Sequence, residues 1–374
     1  MKILHVINRL GVGGAEKLLT ELLPIQLQHG HDIVVIGLAT GRFEFVKRLE
    51  DSGIKVISLG KNEKDIYNPL FIFKLMKYIN NFDIVHVHLF PCQYWVVFAA
   101  LLTNSKTVLV TTEHSTDNRR RNLLGFKWID RFVYKHYHKI IAISSKTEEA
   151  LISYLGSKDR ICVVENGIDI TKIAKVKAIE KKDLGCTKCD KLILQVARFS
   201  EQKDQDTLIR CLKLLPASYH AVFVGDGVRR TICENLAVHE GVKDRVHFLG
   251  VRDDVPQILQ SVDVVVMSSH CEGFGLAAVE GMAAGKPVIA SDVPGLSEVV
   301  KGAGVLFEQG NVKMLSEQIN ALLTDGKYYE DIAHKCLLRA QRYDIYTMEK
   351  QYEEIYQSVM KKCKRPKMTS CPKV

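Results

Sequence analysis

The chain alternates short β-branched apolar runs with longer amphipathic stretches. One series of runs lies at 2–7, 32–38, 54–59, 83–89, 107–112, 139–144 and 161–164, and a second at 192–196, 221–224, 246–249, 262–267, 288–290 and 305–307. Runs rich in Val, Ile and Leu with little polar alternation are the mark of strands covered on both faces. The helical spacing between them predicts parallel strands joined by right-handed crossovers. The expected architecture is therefore α/β, with two Rossmann-like, doubly wound domains facing across a cleft.

The same pattern sets expected boundaries. The lysine-rich run 172–182 is polar and lacks strand periodicity, so 172–190 reads as a linker. It separates an N-terminal domain at 1–171 from a C-terminal domain at 191–347. A last helix at about 348–362 is expected to return to the first domain, followed by a basic tail at 363–374 with the composition of a disordered segment.

Candidate chemistry is densest in VVVMSSHCEGFGLAAVEGMAAGKPVIASDVPG, residues 264–295. It reads as strand, turn, a small-residue helix from Leu276 to Ala284, and a second strand. The turn thus lies at a strand's carboxyl end, where doubly wound sheets bind ligands. The helix start there adds unpaired N–H groups and a positive dipole end suited to phosphate. Glu272 and Glu280 flank that turn. Carboxylates repel phosphate, so their expected role is to accept hydrogen bonds from hydroxyls on either side of a diphosphate. Gly273 and Gly275 carry no Cβ to keep a ligand from the backbone. By themselves, two glutamates at this spacing also fit the capping of an ordinary surface helix.

With its neighbours, this stretch resembles the donor-binding signature of the family-4 (group 1) retaining glycosyltransferases of GT-B fold. Further matches follow in family order: Gly11-Val12-Gly13-Gly14-Ala15-Glu16, His114, Asn166-Gly167-Ile168-Asp169, Ala197-Arg198 with Lys203, and Gly225-Asp226-Gly227. The resemblance implies a nucleoside-diphosphate sugar, UDP- or GDP-linked, as donor substrate, and no cofactor. It implies that Gly13 and Gly14 face the donor diphosphate and the acceptor, and that His114 contacts the donor sugar near the reacting centre. It assigns the diphosphate to Arg198 and Lys203, and the base to the segment Gly250-Val251-Arg252 through backbone groups. Glu272, Gly273, Phe274, Gly275, Leu276 and Glu280 complete the donor set, Gly225 lies in a strand-end turn, and His114, Arg198, Lys203 and Glu272 are the expected catalytic residues. Asp204 stands where the family usually has glycine. No Asp-x-Asp motif is assigned to hold a cation, so metal-independent chemistry is expected.

Charge adds a surface. Of the net +9, a share of +6 falls between 119 and 139, where seven cations accompany the single acid Asp130 and many aromatic or aliphatic residues. Residues 118–139 therefore predict a basic amphipathic helix, which fits an anionic membrane surface or a solvated helix packed by its apolar side. Nucleic acid is not an expected partner, since no binding motif accompanies the charge. The N-terminus is too weakly apolar for a signal peptide, and the run 94–102 is too short to span a bilayer. A cytoplasmic protein is expected, peripheral on the inner face of the plasma membrane if this helix meets lipid. Cys186-Thr187-Lys188-Cys189 lacks the second ligand pair of a zinc ribbon, which favours reduced thiols.

The expected activity is transfer of a sugar to a hydroxyl of a lipid-linked or polysaccharide acceptor. Rival readings are a glycosidase using Glu272 and Glu280, a nucleotide-sugar epimerase or phosphorylase of the same fold, and a non-catalytic sugar-nucleotide binding protein. The glycosidase reading fits least, because its carboxylates must flank one sugar rather than a helix start.

Overall fold

The computed structural model describes residues 1–11, 13–41, 43–116, 121, 125–188 and 190–364. The chain divides into two compact units, Met1–Glu165 with Tyr346–Val374, and Asn166–Ile345.

The first unit holds seven strands: β1 (Lys2–Ile7), β2 (Asp32–Gly37), β3 (Lys55–Ser58), β4 (Ile84–His88), β5 (Val108–Glu113), β6 (Lys139–Ala142) and β7 (Ile161–Val163). They form one sheet in the order β3-β2-β1-β4-β5-β6-β7, with parallel pairing throughout. Its helices include α1 (Gly14–Gln28), α2 (Phe43–Asp51), α3 (Phe71–Ile79), α4 (Cys92–Leu102), α5 (Phe126–Tyr134) and α6 (Ser145–Leu155). Ile3, Leu4, Val6 and Ile7 are fully buried, as a central strand sandwiched by helices requires.

The second unit opens with α7 (Ile170–Lys175), followed by β8 (Lys191–Val196), α8 (Gln205–Cys211), β9 (Tyr219–Val224), α9 (Arg230–His239), β10 (Val246–Phe248), α10 (Val255–Ser261) and β11 (Val264–Met267). Then come α11 (Leu276–Ala283), β12 (Val288–Ser291), α12 (Leu296–Val300), β13 (Val305–Phe307), α13 (Val312–Thr324) and α14 (Gly326–Ala340). The sheet order is β10-β9-β8-β11-β12-β13, again all parallel. In both sheets the order reverses direction once, at β1/β4 and at β8/β11. Neighbouring crossovers leave in opposite directions there and open a crevice at the strands' carboxyl ends.

Two expectations change, for the linker at 172–190 and for the basic helix. Residues 172–190 are no separate linker but part of the second unit. Asp169 caps α7 by accepting from Lys172 N at 2.9 Å, Ile173 and Leu184 are buried, and Lys181 Nζ donates to Asp190 O at 2.6 Å. The lysines made the run look polar while its two apolar anchors face inward. The last helix, α15, runs over Ile345–Lys364, and its buried Tyr352 and Tyr356 pack with the first unit. Among the described residues, the basic helix is the nine-residue α5. Arg119, Arg120, Val12, Cys189 and most of the tail lie outside the described residues.

Candidate active site

The second unit's reversal point brings together the loops that follow β8 and β11. After β8, Arg198 is exposed and Lys203 is partly buried; after β11, Glu272 is partly buried. Lys203 Nζ and Glu272 form a close ion pair through Oε1, which also accepts from Ser269 Oγ at 3.2 Å. An ammonium has three protons, so this pairing leaves donors for a phosphate oxygen. Both contacts fall on Oε1 of Glu272, which leaves Oε2 for a hydroxyl.

Glycines hold these loops in place. Gly275, at φ +91°, is the N-cap of α11, and no side chain caps that helix. Leu276 therefore opens a helix whose first N–H groups need partners from outside. A Cβ on Gly275 would sit 2.5 Å from Leu296 Cδ2, so packing demands this glycine apart from any ligand. Phe274 is buried and packs edge-on against Tyr343 at 5.2 Å, so position 274 offers a ligand its backbone. Glu280 is also buried, one turn into α11. Gly225, at φ +136°, donates to Gly250 O at 2.8 Å, which laces the β9 and β10 ends together.

Two side chains near the strand ends are engaged within the protein itself. Arg252 is held by Asp254 through two bonds of 2.7 and 2.6 Å, while Val251 is exposed beside it. Asp204 takes the left-handed conformation, φ +44°, that explains a usual glycine here, and caps α8 by accepting from Thr207 N at 3.2 Å and Thr207 Oγ1 at 2.6 Å. Aspartate tolerates that conformation better than most side chains. The Asp-x-Asp spacing does occur, at Asp204-Gln205-Asp206, but the first carboxylate is this cap and the second accepts from Arg229 at 2.7 Å.

In the first unit, Gly13 is the extended N-cap of α1, and the Glu16 carboxylate folds back against it. Gly14 is exposed. His114 follows β5 and belongs to a column that the sequence reading missed. His5 Nδ1 lies 3.1 Å from His88 Nε2, and His88 Nδ1 lies 3.2 Å from His114 Nε2. A neutral imidazole has one N–H, so each contact needs a donor on one ring and a lone pair on the other. The three tautomers are thereby locked together, and whether His114 Nδ1 donates or accepts is set by His5. His86 stands beside the column, bonded to Tyr356 OH at 2.6 Å and Thr112 Oγ1 at 2.8 Å. The available signal was His86-Val87-His88, whose period of two puts both rings on one face, with His5 in register beside His86.

Burial pushes His114 down to about 4 and His5 down to about 3 from 6.5, and lowers His86 and His88 well below that value, helped by the neighbouring histidines. Unfolded, the same residues take up protons near 6.5, so between about 6.5 and 3 the unfolded state binds more protons than the folded one. The stability these neutral rings confer is complete above that window and falls as pH falls through it, by up to about 1.4 kcal/mol per pH unit per histidine. The melting temperature should thus drop steadily from pH 6.5 to 4. A flat profile by calorimetry over that range would contradict the buried column.

The second unit matches the family model of Glycosyl transferases group 1 over residues 176–336, and the first matches Glycosyltransferase Family 4 over 12–172. The chain is 30% identical to the UDP-Gal:alpha-D-GlcNAc-diphosphoundecaprenol alpha-1,3-galactosyltransferase of Escherichia coli, covering 73% of this chain and 74% of that one. It is 26% identical to the N,N'-diacetylbacillosaminyl-diphospho-undecaprenol alpha-1,3-N-acetylgalactosaminyltransferase of Campylobacter jejuni, covering 85% and 89%. Among solved structures, Anabaena HepE in complex with UDP-glucose superposes with a TM-score of 0.85 at 25% identity, covering 96% of this chain and all of that one.

Proposed function

This chain belongs to the group 1, family 4 glycosyltransferases of GT-B fold, and from that premise we propose a retaining, metal-independent transfer of a sugar from a nucleoside-diphosphate donor to a hydroxyl of a lipid-linked or polysaccharide acceptor. The observation that carries the reading is the Lys203–Glu272 pair at the β8/β11 reversal, beside the uncapped start of α11. In the reaction, the bond from the anomeric carbon to the diphosphate oxygen breaks with both electrons on phosphate. The acceptor oxygen bonds to that carbon and passes its proton to the departing diphosphate oxygen. Arg198, Lys203 and the first N–H groups of α11 stabilise the charge that builds on the leaving diphosphate, each preorganised donor contributing about 3 kcal/mol. Glu272 accepts from the sugar, Glu280 from the ribose, and His114 serves as a neutral hydrogen-bonding partner. Relatives that carry diphosphoundecaprenol in their names, and HepE with UDP-glucose, support a nucleotide-sugar donor and a lipid-linked acceptor. The anomeric configuration of the product, read by proton NMR, tests retention; an inverted product sinks it.

A membrane-bound acceptor gains support from α5. Trp128 is 75% exposed, beside exposed Ile129 and Phe132, with Lys127 and Arg131 on the same short helix and Lys135 at its C-cap. Phe132 stacks on Phe98 of α4, whose end exposes Leu101 and Leu102. Arg121, in contrast, turns its side chain inward, 3.6 Å from Glu113 and bonded to Thr116 O, so changing it would perturb the fold rather than a lipid contact. No helix among the described residues is long and apolar enough to cross a membrane. Changing Lys127, Arg131 and Lys135 together to Glu should weaken flotation with anionic vesicles by about 100-fold or more, at about 1 kcal/mol per cation, and high salt should mimic it. Equal flotation of both proteins would remove the membrane from the account.

A further inference from the structure

We propose that Cys186, His220 and His247 form a binding site for a divalent cation of the zinc type at the edge of the second sheet. One ligand atom from each lies within 4.8 Å of the others, and the three come from separate elements: the turn before β8, the start of β9 and the middle of β10. In the parallel register Val222 faces His247, which puts His220 and His247 on one face of the sheet. Their rings stack at 5.3 Å and 10°, with His220 Nδ1 2.9 Å from His247 Nε2.

Gly185, at φ +80°, ends the turn that carries Cys186, and a Cβ there would lie 2.9 Å from His247 Nδ1. The thiol is thereby brought against the histidine pair by a backbone conformation that favours glycine. Asp190 accepts from Thr187 N at 2.6 Å and lies 3.7 Å from His220 Nε2, the place of an outer carboxylate that orients a metal-bound imidazole. One thiolate and two imidazoles are donors that zinc prefers. Zn–N bonds of ~2.0–2.1 Å at a tetrahedral angle put two nitrogens about 3.3 Å apart, so the pair needs to open by only a few tenths of an ångström. Cys186 is buried and both histidines are partly exposed, which keeps the site within reach of an ion.

The sequence objection to a metal here was the lack of a second ligand pair after Cys186; the pairing of β9 with β10 supplies one from 34 and 61 residues further along, counting from 186 to 220 and to 247. His220 sits at the amino end of β9 and His247 in the middle of β10, whereas Gly225 and Gly250 follow the carboxyl ends of these strands. The metal therefore has a structural role, fastening the turn at 181–190 to the sheet.

The full chain, stripped with chelator, is titrated with Co2+ and with Zn2+ while visible absorption and melting temperature are followed. The expected result is one Co2+ per chain with a thiolate charge-transfer band, and a rise in melting temperature with Zn2+. Cys186→Ser and His247→Ala should each weaken binding by at least about tenfold and abolish the thermal shift. Binding of UDP by both variants, unchanged from wild type, checks that they fold and keeps this result separate from the fate of the donor site. Absence of stoichiometric metal, or Co2+ spectra that survive in both variants or are lost only with Cys189→Ser, overturns the proposal.

Discussion

Arg198→Ala and Lys203→Ala are each expected to lower kcat by about 100-fold or more, because under the proposed mechanism each removes a fixed positive charge from the point where negative charge develops. The ion pair complicates Lys203, since its loss also leaves Glu272 without its partner. A double-mutant cycle separates the two effects. If Lys203 served only to neutralise Glu272, then Glu272→Gln placed on Lys203→Ala would restore much of the rate. If Lys203 acts on the leaving diphosphate, the double variant stays at least as slow as the single one. For Arg198, no salt-bridge partner is found among the described residues, so its replacement has no such secondary effect. A rise in KM alone for either variant would mean that it holds only the ground state.

Gly295→Ala should be strongly damaging although it removes no charge. The residue sits at φ +88°, and its added Cβ would run into the carbonyl of Glu272, 2.9 Å from the Glu272 carbonyl carbon and 3.1 Å from that of Gly273. Left-handed strain costs roughly 1–2 kcal/mol, and relieving the overlap must push the Glu272 loop aside. A displacement near 1 Å at a site residue costs on the order of 100-fold in rate. Gly310→Ala is the comparison, because it shares the left-handed φ (+73°) but has nothing within 4 Å of its new Cβ. Gly310→Ala should lose stability without losing activity, whereas Gly295→Ala loses both. Equal activity of the two variants would detach Gly295 from the site.

Both sheets were legible in the sequence because a buried parallel strand leaves a near-continuous apolar run: 264–267 is unbroken, and 3–7 is interrupted only by His5. The glycine turn before α11 was legible for the same local reason, although the cause differs in part. Gly275 answers to Leu296 and to its own φ as well as to any ligand. What stayed hidden depends on register and on side-chain direction, which no linear pattern carries. The histidine column needs β1 beside β4, and the Cys186–His220–His247 cluster needs β9 beside β10. Arg121 counted as a surface cation by composition, yet it turns in toward Glu113. Arg252 matched a position expected to hold the base, and two residues later Asp254 occupies its guanidinium.

The central claim is that the β8/β11 reversal point of the second unit holds a nucleoside diphosphate. Calorimetric titration of UDP and GDP, each alone and as a sugar conjugate, into wild type, Arg198→Ala and Glu280→Gln tests it most directly. The account predicts one binding event per chain for one of the two bases. It predicts that Arg198→Ala weakens it through the diphosphate and that Glu280→Gln weakens it through the ribose, since an amide accepts from two hydroxyls less well than a carboxylate. Absence of binding by either base, or an affinity that both variants leave untouched, would contradict it.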